Sequence, residues 1–283
     1  MVKEIVSSSR LSYAGYIRLS SILSSQVPLS PREDIGVWAT ERYFIVCHQI
    51  SELLASQILA DLKYAAQLIS SHQNWGTVRT LLVRAASLAL QFYQQSEQLA
   101  CLCPQHAFLK FRTLLEGASA SESKQFRELL NISTGDHPHR KTVERALLSR
   151  MDSFSTVPSG VVTQHESEAW SIAEALSVLT NAITIWRELH IVITAHFIAG
   201  SRGTGGTAGV EYLLRRMQAS GGGADPKDVG NDPSFSSGSF ETFCGMSVKN
   251  INSKAQVLNE RVRLLQPAFE GKMGNYFTQA KAI

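Results

Sequence analysis

In this chain of 283 residues, the stretch from Trp186 to Gly209 holds the side chains best suited to chemistry. Its first part is apolar and reads as a helix carrying His190, and an imidazole fixed on a buried helix can hold a metal or a heme iron. The pattern breaks at Gly200 and runs into Gly203-Thr204-Gly205-Gly206, whose backbone N–H groups and hydroxyls can close on the polar end of a small molecule. His196 lies six residues beyond His190, so the two rings leave a helix on different sides and at most one faces a given cavity. His48 stands four residues before Glu52 in another apolar helical stretch. That pair resembles half of a metal site, but no second histidine follows at the HExxH spacing, and a structural histidine is the simpler reading. Asp136, His137 and His139 also cluster, yet Pro138 between the histidines and Arg140-Lys141 after them predict a solvated loop. Gly203 to Ala208 is a formal GxGxxA, but it follows a helix rather than a strand, and no Gly-Lys-Ser/Thr ends it, so neither a dinucleotide fingerprint nor a P-loop is present. There is no GxSxG elbow.

The elements that must position these residues are helices. Apolar residues recur at helical spacing over roughly 13–25, 38–63, 75–101, 106–115 and 166–198, with shorter stretches at 124–130, up to Met151, 210–218 and 251–265. Ser121 or Ser123 is placed to cap the helix that begins at Lys124. No strand alternation, repeat or heptad run competes, so the expected fold is an all-α bundle of about six to nine helices in a single domain spanning 1–283. Residues 219–249, rich in Gly and Ser with Pro226 and Pro233, are expected to be a mobile segment. A net charge of +3 is too mild to argue for nucleic acid or an anionic membrane. Four cysteines without CxxC spacing fit a reducing compartment, and no signal-peptide core or run of about twenty apolar residues is seen, so a cytoplasmic protein is expected.

Five segments in order carry a resemblance to a known family. They are Tyr13-x-x-Tyr16-Ile17-Arg18-Leu19 with Leu23 and Gln26, then Phe44-Ile45-Val46-x-His48-Gln49-x-x-Glu52-Leu53, and Phe111-Arg112 through Ala118-Ser119 to Gln125-Phe126-Arg127. Trp186-Arg187-x-x-His190 and Gly203-Thr204-Gly205-Gly206 complete the set. Together they resemble the tryptophan 2,3-dioxygenase superfamily of histidine-ligated, heme-dependent aromatic oxygenases. The resemblance implies a helical bundle with a buried pocket for heme b and His190 as its proximal iron ligand, with Gly203 and Gly205 beside the cofactor. It implies His48 as the distal catalytic histidine, Arg112 as a bidentate clamp on the substrate carboxylate, and Thr204 as a hydrogen-bonding group of the loop. Phe44, Tyr13 and Tyr16 would wall the aromatic ring. The tyrosine segment, within residues 1–35, would reach a neighbouring subunit's site in a homotetramer.

Departures from the family pattern bear on the chemistry. The usual Gly-Phe-Gln-Ser is here Ala120-Ser121-Glu122-Ser123, and the usual Met-Val-x-Arg is Ile193-Thr194-Ala195-His196. A His-Asp-Glu keeps only Glu41, bulky aromatics become Leu54 and Ala55, and Ser-Ser becomes Thr207-Ala208. The expectation is an oxygenase acting with dioxygen, or peroxide, on the indole C2–C3 region of L-tryptophan or a substituted tryptophan, as an oxindole-forming monooxygenase of specialised metabolism. Tryptophan 2,3-dioxygenase activity proper, a tyrosine-type hydroxylase and a non-catalytic heme-binding protein stand as alternatives.

Overall fold

The computed structural model describes residues 11–71, 74–115, 117–154, 164–198, 201–204 and 206–219. Among them nine α-helices form: α1 Tyr13–Tyr16, α2 Leu19–Leu23, α3 Ile35–Ser70, α4 Trp75–Leu102, α5 Gln105–Arg112, α6 Lys124–Thr134, α7 Pro138–Phe154, α8 Gln164–Ile198 and α9 Val210–Ala219. No strand occurs among the described residues. The fold is all-α, as expected. The helix expected at 251–265 and nearly all of 219–249 lie outside the described residues.

The helix ends are written in local chemistry. Asp34 caps α3 by accepting from the Val37 N–H, Asn74 caps α4 through Thr77, and Ser123, one of the two expected candidates, caps α6 through Phe126. Gly135 ends α6 in the left-handed region at φ 85°, where its N–H and that of Asp136 turn back to the carbonyls of Ile132 and Asn131. One expected helix is broken. Residues 13–25 form two short helices because Arg18 takes φ 55° between them.

Three long helices make the core: α4 packs most extensively against α8 on one side and α3 on the other. Small residues allow the close approach, with Ala55, Ala65 and Ala66 of α3, Ala85, Ala86 and Ala89 of α4, and Ala169, Ala175 and Ala182 of α8 all buried. Between them Ile58, Leu62, Ile69, Leu82, Ile172, Leu179 and Ile183 are wholly buried, each contributing roughly 1.5–3 kcal/mol. The length and apolarity of α8 over Ser167–Ile198 match those of a membrane span, but most of its apolar stretch is buried inside the bundle.

One buried charge is built into this core. Asp61 on α3 is fully buried and accepts from Arg84 Nε at 2.7 Å and Nη2 at 2.5 Å, and from Gln57 Nε2 at 2.8 Å. Arg84→Ala strands that carboxylate with Gln57 alone. Because the Arg84 side chain is itself half exposed, the expected loss is about 2 kcal/mol rather than the ~3–5 kcal/mol of a fully buried pair. An unchanged urea midpoint in that variant would show that the pair contributes no net stability.

The loop expected at 136–141 is not solvated throughout. His137 is buried at the start of α7, with its ring 5.4 Å from that of His139 and its Nε2 3.9 Å from Glu128. Burial, then the neighbouring His139, hold its pKa below the usual histidine value. No group of three His, Cys, Asp or Glu side chains able to hold a metal ion occurs among the described residues. Cys47, Cys101 and Cys103 are all free thiols.

Candidate functional site

The site grows from α3 and α8, which bring His48 and His190 within electrostatic reach of each other. On α3, His48 sits one turn after Phe44, and its Nδ1 lies 2.8 Å from the Phe44 carbonyl oxygen. A carbonyl only accepts, so Nδ1 carries the proton and Nε2 keeps its lone pair. Burial lowers the His48 pKa, opposed by that hydrogen bond and by the Glu52 charge. The ring is therefore a neutral acceptor at pH 7.

On α8, His190 is pushed down to about 4, first by burial and then by His48. Neither of its ring nitrogens has a hydrogen-bond partner among the described residues. Both imidazoles are half-buried.

Neighbours on α8 brace the turn that carries His190. Trp186, one turn earlier, packs 5.7 Å from the His190 ring and 4.7 Å from Phe92, and donates its indole N–H to Ser96 Oγ at 3.1 Å. Arg187 reaches Ser133 on α6 at 2.9 Å.

Phe44 stands over His48 at 4.1 Å and meets Phe108 at 5.7 Å and Phe111 at 5.3 Å. Phe197 of α8 closes on Phe108 at 4.7 Å. The resemblance named Phe44 for the aromatic wall, with Tyr13 and Tyr16, but not Phe108, Phe111 or Phe197. The signal for the others was present: Phe108 and Phe111 are three apart on the helix that ends in Arg112, and Phe197 is two turns after His190 on the same face of α8.

Arg112 ends α5, and its Nη2 donates to the Arg202 carbonyl of the glycine loop. Thr204 is half-buried, and its carbonyl accepts from the Gly117 N–H at 3.3 Å. Gly203 belongs to the loop's own turn: its N–H donates to the Thr207 carbonyl at 3.0 Å, and a Cβ there would lie 2.6 Å from Thr207 Oγ1. Gly205 lies outside the described residues. Tyr13 and Tyr16 are 74% and 72% exposed, so within a single chain they wall nothing. The structure thus brings together His48, His190 and Phe44, and separately joins Arg112 to the loop of Gly203 and Thr204.

A profile of the tryptophan 2,3-dioxygenase family matches residues 2–154, more than half of the chain. The chain belongs to the tryptophan 2,3-dioxygenase family. Among its relatives is the tryptophan 2,3-dioxygenase of Pseudomonas fluorescens, 29% identical over 252 residues that cover 73% of this chain and 86% of the relative. That of Caulobacter vibrioides is 29% identical over 253 residues, covering 74% and 93%. That of Nocardioides sp. is 27% identical over 247 residues, covering 74% and 90%. As a member of the tryptophan 2,3-dioxygenase family the chain is a heme-dependent oxidoreductase acting on an aromatic amino acid.

The residues present fit such a cofactor. Heme iron takes one protein imidazole, which must be neutral with a nitrogen lone pair to give, and His190 meets both conditions at pH 7. Phe44, half-buried beside His48 and backed by the buried Phe108 and Phe111, offers an apolar face to a planar aromatic ligand.

Proposed function

We propose that this protein inserts oxygen into the indole C2–C3 region of L-tryptophan or a substituted tryptophan such as a methylated one, as an oxindole-forming monooxygenase of specialised metabolism. The observation that carries the reading is the approach of two neutral imidazoles, His48 on α3 and His190 on α8, with Nδ1 of His48 bound to the Phe44 carbonyl so that its Nε2 is left as an acceptor. His190 would hold the iron of heme b, which supplies dioxygen binding and activation when bound. His48, neutral and accepting at Nε2, would take the indole N–H and orient the ring against Phe44. Arg112 would hold the carboxylate, and Thr204 the ammonium or carboxylate, so that the amino-acid end sets how far the indole enters. Gly203 and Gly205 would give the loop its shape beside the cofactor.

Support for monooxygenation comes from changes around an otherwise retained polar set. Where the family places a phenylalanine, this chain has Ser121 in an exposed 3₁₀ turn, and Ala55 stands buried where a bulky aromatic is usual. A reshaped wall with the same amino-acid contacts suits an altered substrate or outcome. Ring cleavage to N-formylkynurenine is a second reading, favoured by the name shared by the relatives. Mass spectrometry of products from reduced, heme-loaded protein given tryptophan, methylated tryptophans and tyrosine separates these. Addition of one oxygen atom to an indole substrate is expected. Addition of two oxygen atoms would establish ring cleavage instead, and turnover of tyrosine alone would remove the indole assignment.

Exposed apolar side chains on the N-terminal segment, among them Leu11, Tyr13, Tyr16, Leu23, Val27 and Leu29, support a homotetramer in which this segment is covered by a neighbour and completes its site. A cytoplasmic location fits the free thiols.

A further inference from the structure

We infer that Arg112 is a positioning residue for Thr204 as well as a receptor for the substrate carboxylate. The inference rests on the reading of Arg112 and Thr204 as substrate-binding groups. It begins with the bond from Arg112 Nη2 to the Arg202 carbonyl, which joins the end of α5 to a segment ninety residues away in sequence. A guanidinium has two forks able to hold a carboxylate bidentately, one from Nε–H and the nearer terminal nitrogen, the other from the two terminal nitrogens. Each terminal nitrogen carries two hydrogens. A single acceptor on Nη2 therefore occupies one hydrogen and leaves one complete fork. Arg112 can hold a substrate carboxylate and the Arg202 carbonyl at the same time.

The rest of the loop turns that bond into a position for Thr204. Its carbonyl is held by the Gly117 N–H at 3.3 Å, and Gly117 sits five residues beyond Arg112 in the segment after α5. Gly203, between Arg202 and Thr204, is tied to Thr207 at 3.0 Å, and the Gly206 N–H returns to the Gly203 carbonyl at 3.0 Å. Two short turns thus fix the peptide on either side of Thr204, and both external ties come from the α5 end, Arg112 and Gly117. The carboxylate receptor and the hydroxyl that meets the same amino acid are referenced to one another by hydrogen bonds rather than by chance packing. Lysine at 112 would keep the charge, but its three N–H groups radiate from one nitrogen with no planar fork, so a carboxylate that draws the ammonium in would draw it away from the Arg202 carbonyl.

Hydrogen–deuterium exchange on full-length, heme-loaded ferric protein tests this without turnover. In the absence of substrate, the amides of Gly203 and Gly206 should be protected in the wild type. They should exchange about tenfold or more faster in Arg112→Ala, the loss expected for a charge-assisted hydrogen bond, and should stay near wild type in Arg112→Lys, whose ammonium is free to meet the Arg202 carbonyl when no carboxylate is present. Arg202→Ala keeps the backbone acceptor and should exchange like wild type. With L-tryptophan added, a shift of the heme spectrum reports binding separately. Arg112→Lys should bind more weakly and, at saturation, where the carboxylate takes the ammonium, leave the Gly203 and Gly206 amides unprotected. Wild-type exchange in substrate-free Arg112→Ala would overturn the positioning role, as would equal loss of protection in Arg202→Ala. Failure of wild-type protein to respond to L-tryptophan would count against the substrate reading alone, because the substrate-free comparison stands without it.

Discussion

Replacing His190 with alanine should yield a folded, helical protein that does not retain heme and lacks a Soret band. The fold should survive because the imidazole makes no ring-nitrogen hydrogen bond among the described residues, so its removal strands no buried partner. The braces of this turn, Trp186 to Ser96 and Arg187 to Ser133, remain. Alanine also has the highest helix propensity. What disappears is the imidazole assigned to the iron. His196→Ala, altered at a ring that packs on Phe197 at 5.2 Å, should keep heme. Circular dichroism and the heme-to-protein absorbance ratio measure the two properties separately. A His190→Ala protein with wild-type heme content and spectrum would end the ligand assignment.

The same residue shapes the response to acid. Its folded pKa, about 4, lies below the ordinary histidine value of 6.5, so the unfolded chain takes up the proton first. Stability of the heme-free protein is then fully present above about pH 6.5 and declines as pH falls toward 4. His48, shifted in the same direction, adds to the slope. Urea midpoints of heme-free His190→Ala should fall less steeply over this interval than those of the wild type.

How much of this could be read from residue order depends on the range of each interaction. The long helices were legible because α3, α4 and α8 repeat apolar residues over many turns, and a period sustained that long has few rivals. The split between α1 and α2 was not, since a left-handed arginine at position 18 has no signal in residue type. His137 next to a proline and two basic residues looks solvated, yet contacts from α6 and His139 bury it, which no local pattern reports. In the site, His48, His190 and Arg112 were legible as motif residues. Phe108 and Phe197 read as core positions, and they are buried there, packed on each other behind Phe44. The tie from Arg112 to Arg202 could not be read at all, since its acceptor is backbone and carries no sequence signature.

Glu41 is another residue whose role lies in what it touches, and Glu41→Ala should release the N-terminal segment without releasing heme. Glu41 is almost wholly buried, and its carboxylate accepts from the Leu29 N–H and the Ser30 N–H, both at 2.8 Å, and from the Ser30 hydroxyl at 2.5 Å. Alanine leaves three donors without an acceptor. At about 1–3 kcal/mol for each stranded group, reduced by hydration as the segment lifts, the expected loss is about 3 kcal/mol. The loss is local, because a second clasp, Gln26 to Gln49 at 2.7 Å, still holds the chain next to α3. Exchange at residues 26–30 should rise. If the segment carries Tyr13 and Tyr16 into a neighbouring subunit, the assembly should weaken by light scattering and kcat/KM should fall. Heme retention, which depends on α8, should not change. Glu41→Gln should fall between the two, since its amide offers one oxygen acceptor but points a donor at groups that are donors themselves. Unchanged exchange at 26–30 in Glu41→Ala would show that the Gln26 clasp suffices. A fall in kcat/KM with the assembly and the 26–30 amides intact would place Glu41 in the site itself rather than behind the segment that completes it.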